Sequence, residues 1–448
     1  MSAPVCVTGL GAVSTFGTDV PSLWQGCLAG DSVVQPIPAI WHQYADYRSG
    51  IWSPLPAIDF RQQGFSRNEI LQRDPVSLLA LMAAQEALSQ ANLDTSLVNA
   101  RQAQYQIAGI QSEQAGVFMG TGIGGAHTFL QNHAEQILAR TKPGLHDSAD
   151  ATAQQALALL RHPGKSNRMA VPMLMPNAVS ASIGIKYGLH GHNRTLTHAC
   201  AAGTSAIGEA WQAIQQGTLD FALCGGAEYL LDDYGTIYRG FDMLGTLVTP
   251  GDHPQQANCP FDQARSGFLF AQGGAGVLVL ESEQHAQQRG AKILARIRGY
   301  AETFDACSMV ALADDGAQIT RAIRHALHRA NLSTTAIDYI NAHATGTQAN
   351  DQVEAQVIQT LFPQRPWVAS TKSILGHTIG ASGALEAIIT LLSLQHQQTP
   401  ACLNLQQPAF DLNFVQDSHQ PIELNHALSC SYAFGGHNAA LIMARGDA

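Results

Sequence analysis

The sequence predicts a layered α/β protein whose sheets are buried on both faces. Short β-rich apolar runs recur along the chain, each followed by glycine and then by an Ala-rich stretch with helical spacing. An internal echo supports the same reading. Phe268-Leu269-Phe270-Ala271-Gln272-Gly273-Gly274-Ala275-Gly276-Val277-Leu278-Val279-Leu280 is similar to Tyr432-Ala433-Phe434-Gly435-Gly436-His437-Asn438-Ala439-Ala440-Leu441-Ile442-Met443, and both read as strand, Gly-Gly turn, strand. Two related halves, 1–285 and 286–448, are the simplest organisation.

In chain order, strands are expected at 4–8, 115–119, 221–225, 275–280, 293–300, 337–341 and 428–432. Helices are expected at 75–90, 201–216, 319–330, 349–361 and 382–395. The helices after Cys200 and after His377 are both rich in Ala and Gly, which suits close packing between sheets. Residues 41–64, rich in Pro, Gly and aromatic side chains without a period, read as a loop. Residues 141–168, which mix Lys-Pro-Gly, an Asp/Ala/Gln-rich helix and His-Pro-Gly, read as an insertion.

A chain of 448 residues implies two domains or one large two-part fold. Only 13% of residues are charged, about half the usual share of roughly 25%. Part of so lightly charged a surface is expected to be covered by a second subunit, since obligate interfaces exclude Lys, Glu and Asp. The net charge of −10 argues against nucleic acid or an anionic membrane as partner. The eight cysteines are dispersed without a Cys-x-x-Cys pair and read as reduced thiols of a cytoplasmic protein. Eighteen histidines show no ligand spacing such as His-Glu-x-x-His, so no metal is predicted. No secretion signal is read before Gly11, and apolar runs such as 221–224 and 276–280 are too short to cross a bilayer.

Three segments carry candidate chemistry. In Thr197-His198-Ala199-Cys200-Ala201-Ala202-Gly203-Thr204-Ser205-Ala206 a Cys follows a short strand and opens a helix of small residues. The free N–H groups and positive end of a helix stabilise a thiolate, lower its pKa and can hold an oxyanion. A buried structural Cys beside a crossover fits the segment equally well. In Ile340-Asn341-Ala342-His343-Ala344-Thr345-Gly346-Thr347 a His leaves a buried strand into a Thr/Gly loop, as a hydrogen-bond donor or as a satisfied core histidine. In Ser370-Thr371-Lys372-Ser373-Ile374-Leu375-Gly376-His377-Thr378-Ile379-Gly380 glycines flank His377, which suits close backbone approach or a simple turn.

Taken together, these segments closely resemble the β-ketoacyl-[acyl carrier protein] synthases of the thiolase fold, particularly the elongating type II ketosynthases. The resemblance runs nearly end to end. It includes Val7-Thr8-Gly9-Leu10-Gly11, Gly120-Thr121-Gly122-Ile123-Gly124-Gly125, Gly225-Gly226-Ala227-Glu228, Pro260-Phe261-Asp262 and Phe434-Gly435-Gly436. It implies a thiolase-like fold of two related halves in an αβαβα arrangement. It also implies an acyl chain carried on Cys200 and condensed with malonyl-acyl carrier protein, with no bound cofactor and both substrates on phosphopantetheine arms.

By the same resemblance His343 and His377 hold the malonyl thioester oxygen, and the backbone N–H groups of Cys200 and Phe434 form the oxyanion hole. Lys372 and Glu354 form an ordering ion pair. Thr345 and Thr347 receive the pantetheine amides, Ile123 and Phe241 line the acyl tunnel, and Phe434 gates it. Arg67, Arg73 and Arg168 are the candidate cations for carrier-protein docking, because Asn68, Leu71 and Gln72 stand where Lys or Arg is common. His198 and His437 replace residues that are commonly Thr, which leaves substrate preference open and tilts it toward a specialised polyene or polyketide role. A homodimer or a heterodimer with a chain-length-factor-like homologue is implied.

Other readings fit less well. A non-catalytic chain-length partner would lack the nucleophile, and a thiolase would need a second Cys where Phe434 stands. An initiating ketosynthase would carry Asn at His377, and a cysteine protease would share only a Cys and a His.

Overall fold

The computed structural model describes residues 3–134 and 167–446. The insertion at 141–168 lies outside these apart from its last two residues. Among the described residues the main sheet has eleven strands. They are β1 (Val5–Val13), β2 (Ala115–Gly120), β3 (Asn193–Leu196), β4 (Phe221–Tyr229), β5 (Gly273–Ser282), β6 (Ala295–Phe304), β7 (Tyr339–Asn341), β8 (Trp367–Ala369), β9 (Asn413–Phe414), β10 (His426–Ala433) and β11 (His437–Arg445). In space they run β9-β8-β7-β10-β11-β6-β1-β5-β4-β2-β3.

The order repeats on either side of the β1/β6 seam. β1-β5-β4-β2-β3 and β6-β11-β10-β7-β8 each begin with two antiparallel neighbours and end with two parallel ones. The seam itself is short, pairing only Val5, Cys6 and Val7 with Ile297, Arg296 and Ala295. Beyond it the two sides diverge, which makes room for a helical layer between them.

That layer is α2 (Ala202–Gln215) and α5 (Ser382–His396), which pack on each other and on strands of both sides. Every residue of α5 through Leu394 is buried. Small residues make the crossing possible, since a Cβ on Gly203 would lie 2.8 Å from the Ala384 backbone nitrogen. α1 (Pro75–Gln90) covers the outer face of β1, β5 and β4, and α3 (Ala317–Ala330) covers β6 and β11. The result is five layers, αβαβα, as the family resemblance implies. α1 fits against β1 through Gly11, where a Cβ would meet the Ala83 carbonyl oxygen at 1.9 Å. Asp74 starts α1 by accepting from the Val76 N–H, and Pro75 at the first helical position loses no bond.

The echo is only half correct. Tyr432–Met443 is a true hairpin, with Gly435 and Gly436 at φ +84° and +85° in its turn. In the first half β4 pairs with β5 across a long connection, and 268–272 forms no arm of a hairpin. Those residues instead make single bridges, Phe268 to Leu247, Ala271 to Ser53 and Phe270 to His377. Their apolar character reflects burial beneath the site rather than strand pairing. The short strands β3, β8 and β9, of two to four residues near the ends of the sheet, are too short to show a period.

Candidate active site

Cys200 stands in a 3₁₀ turn, Ala199–Ala201, between β3 and α2. Ala199 is forced to φ +44°, a left-handed conformation that costs a non-glycine residue about 1 kcal/mol and is kept here by the packing on both sides. The turn presents Sγ to His377, whose Nε2 lies 3.0 Å away. The backbone N–H groups of Phe434 and of Cys200 itself also reach the sulfur. Burial nevertheless dominates and pushes the thiol up to about 12, against the lowering effects of Lys372 and these N–H groups. The helix-terminus argument therefore identifies real contacts but predicts the wrong net direction, because Cys200 is only 5% exposed. The resting group is a thiol.

His343 follows β7 and is equally buried. Its loop is held by Glu354 of α4 (Gln348–Leu361), which accepts from the N–H groups of His343 at 2.8 Å and Ala344 at 2.7 Å. His377 leaves the helical turn Lys372–Leu375 through Gly376, at φ +78°. Its N–H donates to the Leu269 carbonyl at 2.7 Å, and its Nδ1 lies 2.8 Å from Ser382 Oγ at the start of α5. The His343 and His377 rings meet edge to face at 5.5 Å. Burial, then the Lys372 charge, holds both imidazoles well below their usual value, so both are neutral. Donor atoms of Cys200, His343 and His377 all lie within 4.8 Å of one another, the one such convergence found among the described residues.

Lys372 does not pair with Glu354. Its ammonium contacts Glu386 on α5, and both side chains are buried. Glu354 is occupied by the loop backbone, and burial raises it to about 8. Glu386 and Ser382 are the site residues that sequence reasoning missed. The lone charged residue in the largely apolar Ser382–Leu394 stretch was the available signal for Glu386. Glu228, likewise unassigned, accepts from the Gly122, Gly380 and Ile123 N–H groups and from Thr121, and so ties the 121–123 loop to the turn before α5. Glu354→Gln should destabilise the protein by about 1–3 kcal/mol in chemical denaturation, because an amide N–H₂ would then face a backbone N–H.

A cavity of about 250 Å³ opens onto Cys200, His343 and His377 between Phe268 and Phe434. Thr345 and Thr347 line it, with their hydroxyls 2.9 Å apart. Phe241 stands in a second row, with ring centroids 5.7 Å from Phe268 and 6.5 Å from Phe434. Ile123 is not in this wall. Its side chain is 40% exposed on the outer surface, and only its N–H faces inward, to Glu228. Arg67 and Arg168 are exposed, whereas Arg73 is 12% exposed and lies 4.0 Å from Glu69, so its charge is not offered outward.

Models of the β-ketoacyl synthase N-terminal and C-terminal domains match residues 2–286 and 294–406. The chain belongs to the β-ketoacyl synthase family. It is 33% identical over 442 residues to 3-oxoacyl-[acyl-carrier-protein] synthase 2 of Synechocystis sp., covering 98% of this chain and 97% of that protein. Two solved structures are similar. One is a type II polyketide-synthase ketosynthase in complex with its acyl-carrier protein and bound to the hexaketide, at 27% identity and TM-score 0.82, covering 99% of this chain and 100% of that one. The other is the ishigamide ketosynthase/chain length factor, at 28% identity and TM-score 0.81, again covering 99% and 100%.

This β-ketoacyl synthase is accordingly an acyltransferase that catalyses the acyl-carrier-protein-dependent condensation of fatty-acid or polyketide synthesis. No helix among its described residues is long and apolar enough to cross a membrane.

Proposed function

We propose that Cys200 is the acyl-accepting nucleophile and that His343 and His377 drive the decarboxylation that supplies the carbanion. The 3.0 Å contact between Cys200 Sγ and His377 Nε2, with two backbone N–H groups reaching the same sulfur, carries this reading. In the first step Sγ attacks the acyl thioester as the thiol proton passes to Nε2. The oxyanion sits on the Cys200 and Phe434 N–H groups, and the pantetheine sulfur leaves with the proton.

In the second step the malonyl C–C bond breaks to release carbon dioxide. The electron pair forms an enolate whose oxygen is held by N–H groups of the two neutral imidazoles. The enolate carbon then attacks the acyl thioester, a C–C bond forms, and Cys200 leaves as thiolate and takes up a proton from water, the one proton the decarboxylation consumes. His377 must accept in the first step and donate in the second. Ser382 Oγ allows both, since a hydroxyl can donate to Nδ1 or accept from it. The cycle balances without redox, so it calls for no resident cofactor. Lys372, paired with Glu386, keeps the imidazoles neutral, while Glu354 acts as an anchor of the His343 loop. Phe434 gates the cavity, and Thr345 and Thr347 at its wall receive the pantetheine amides.

The acyl group we assign is a specialised polyene or polyketide chain delivered on a carrier protein in the cytoplasm. The aromatic wall of Phe268, Phe434 and Phe241 supports this, together with imidazoles at 198 and 437. Arg67 and Arg168 are the docking cations, with Arg73 in reserve behind Glu69. We read the chain as two units meeting near residue 285, on the repeated strand order. β3 ends the sheet among the described residues, and Ile123, Phe129, Val171, Met175 and Ile185 are exposed. This supports pairing with a second copy or with a chain-length-factor-like homologue, and we assign Ile123 to the tunnel end nearest that partner. A non-catalytic partner role is disfavoured because nucleophile and both imidazoles are assembled.

Intact-mass analysis after incubation with a panel of saturated and polyenoyl carrier proteins is the test. Faster loading of polyenoyl chains is expected, and equal or slower loading would remove the specialised assignment.

A further inference from the structure

The two histidines that set this chain apart lie against one another. His198, two residues before Cys200, and His437, the first residue of β11, stack with ring centroids 4.4 Å apart and planes 5° from parallel. Each belongs to a different part of the site. His198 begins the turn that carries the sulfur. His437 closes the Phe434-Gly435-Gly436 turn that carries the second oxyanion N–H, and its ring lies under Gly435, 3.6 Å from where a Cβ would stand.

The stack is itself held on its flanks. Phe304 packs on His437 at 5.2 Å, and His198 Nδ1 lies 3.2 Å from Ser205 Oγ. We propose that the His198–His437 stack is a positioning clamp that fixes the Phe434 turn against the Cys200 turn and so sets the oxyanion hole. The inference rests on Cys200 being the acyl-accepting nucleophile.

The charged groups around the clamp define its response to pH. Glu302 Oε2 lies 3.9 Å from His198 Nδ1 and accepts from the Tyr300 hydroxyl at 2.6 Å. Glu209 acts on Tyr300 and is itself paired with Arg194, while Asp305 accepts from Asn438 beside the turn. One carboxylate can partner one imidazolium, but a second proton would place like charges face to face. Burial and then His198 lower His437, so the fold favours its neutral form. A depressed imidazole is intact above its ordinary pKa and is lost as pH falls through the folded value. The clamp therefore holds while His437 is neutral and opens on the acid side as His437 takes up a proton.

The test uses an octanoyl N-acetylcysteamine thioester, with iodoacetamide as a probe of Cys200 that needs no oxyanion hole. H198A and H437A should each slow acylation of Cys200 by roughly tenfold to a hundredfold, in kcat rather than KM, while iodoacetamide alkylation stays unchanged. A clamp is broken from either side, so the double variant should lose no more than one single variant. H198F/H437F, which stacks without titrating, should recover most of the rate and move the acid-side fall to lower pH, where only the catalytic imidazoles titrate. Should either alanine variant fail to fold, H437N takes its place with the same expected loss.

Additive losses, unchanged acylation in the alanine variants, or an acid limb that does not move to lower pH in the Phe pair would overturn the clamp and leave the nucleophile reading standing. Wild type that is alkylated at Cys200 yet never acylated there would overturn both.

Discussion

Cys200→Ala should lose acyl transfer by on the order of 10⁵-fold or more, the scale on which removal of an essential nucleophile is felt. The same variant should still release carbon dioxide from malonyl-carrier protein, because the two imidazoles assigned to that step remain. Mass analysis of the acyl-enzyme and a coupled assay of carbon dioxide release, run on one preparation, read the two halves separately. Loss of both halves would mean that the sulfur takes part in decarboxylation as well. Serine at this position should also fail, since its hydroxyl is far less nucleophilic than sulfur and His377 must then serve as a stronger base.

Lys372→Ala should separate the halves in the opposite sense. Decarboxylation is expected to fall by roughly 10²–10³-fold, in the range of a lost electrostatic contribution, with a smaller effect on Cys200 acylation. The positive charge of Lys372 helps hold His343 and His377 well below their usual value. Its removal raises both, so the neutral imidazoles are lost at a higher pH and the acid limb of the pH–rate profile moves upward. A limb that stayed fixed would show that burial alone sets these groups.

Breaking a buried pair costs about 3–5 kcal/mol by stranding the partner charge, so Lys372→Ala alone confounds chemistry with folding. Lys372→Met with Glu386→Leu replaces both charges by apolar groups and should recover stability but not decarboxylation. Recovery of both would reduce the pair to a structural role.

The contrast between Glu354 and Glu386 shows where the sequence was legible. The buried strands of the first half and the long helices announced themselves through apolar runs and spacing, and α1 begins at Pro75 and ends at Gln90 as expected. Three motifs far apart in the chain also indicated which side chains converge. Pairing was another matter. Glu354 and Glu386 both lie on helices that pack near Lys372, and only the crossing of α5 behind the site decides which carboxylate the ammonium meets.

Charge state was equally hidden. The sequence shows Cys200 before a helix, but the desolvation that outweighs the helix comes from residues throughout the chain. Ile123 is a related case, since an exposed position cannot be told from a tunnel wall without knowing what lies against it. The short strands β3 and β8 became visible only through their parallel neighbours.

The central claim is that the acyl group passes through Cys200, and localising the adduct tests it most directly. Wild-type protein would be incubated with acyl-carrier proteins, quenched, digested and mapped by peptide mass. The account predicts one adduct, on the peptide containing Cys200, formed in step with free carrier thiol. An adduct on another cysteine such as the exposed Cys307, or carrier thiol released with no adduct at Cys200, would contradict it.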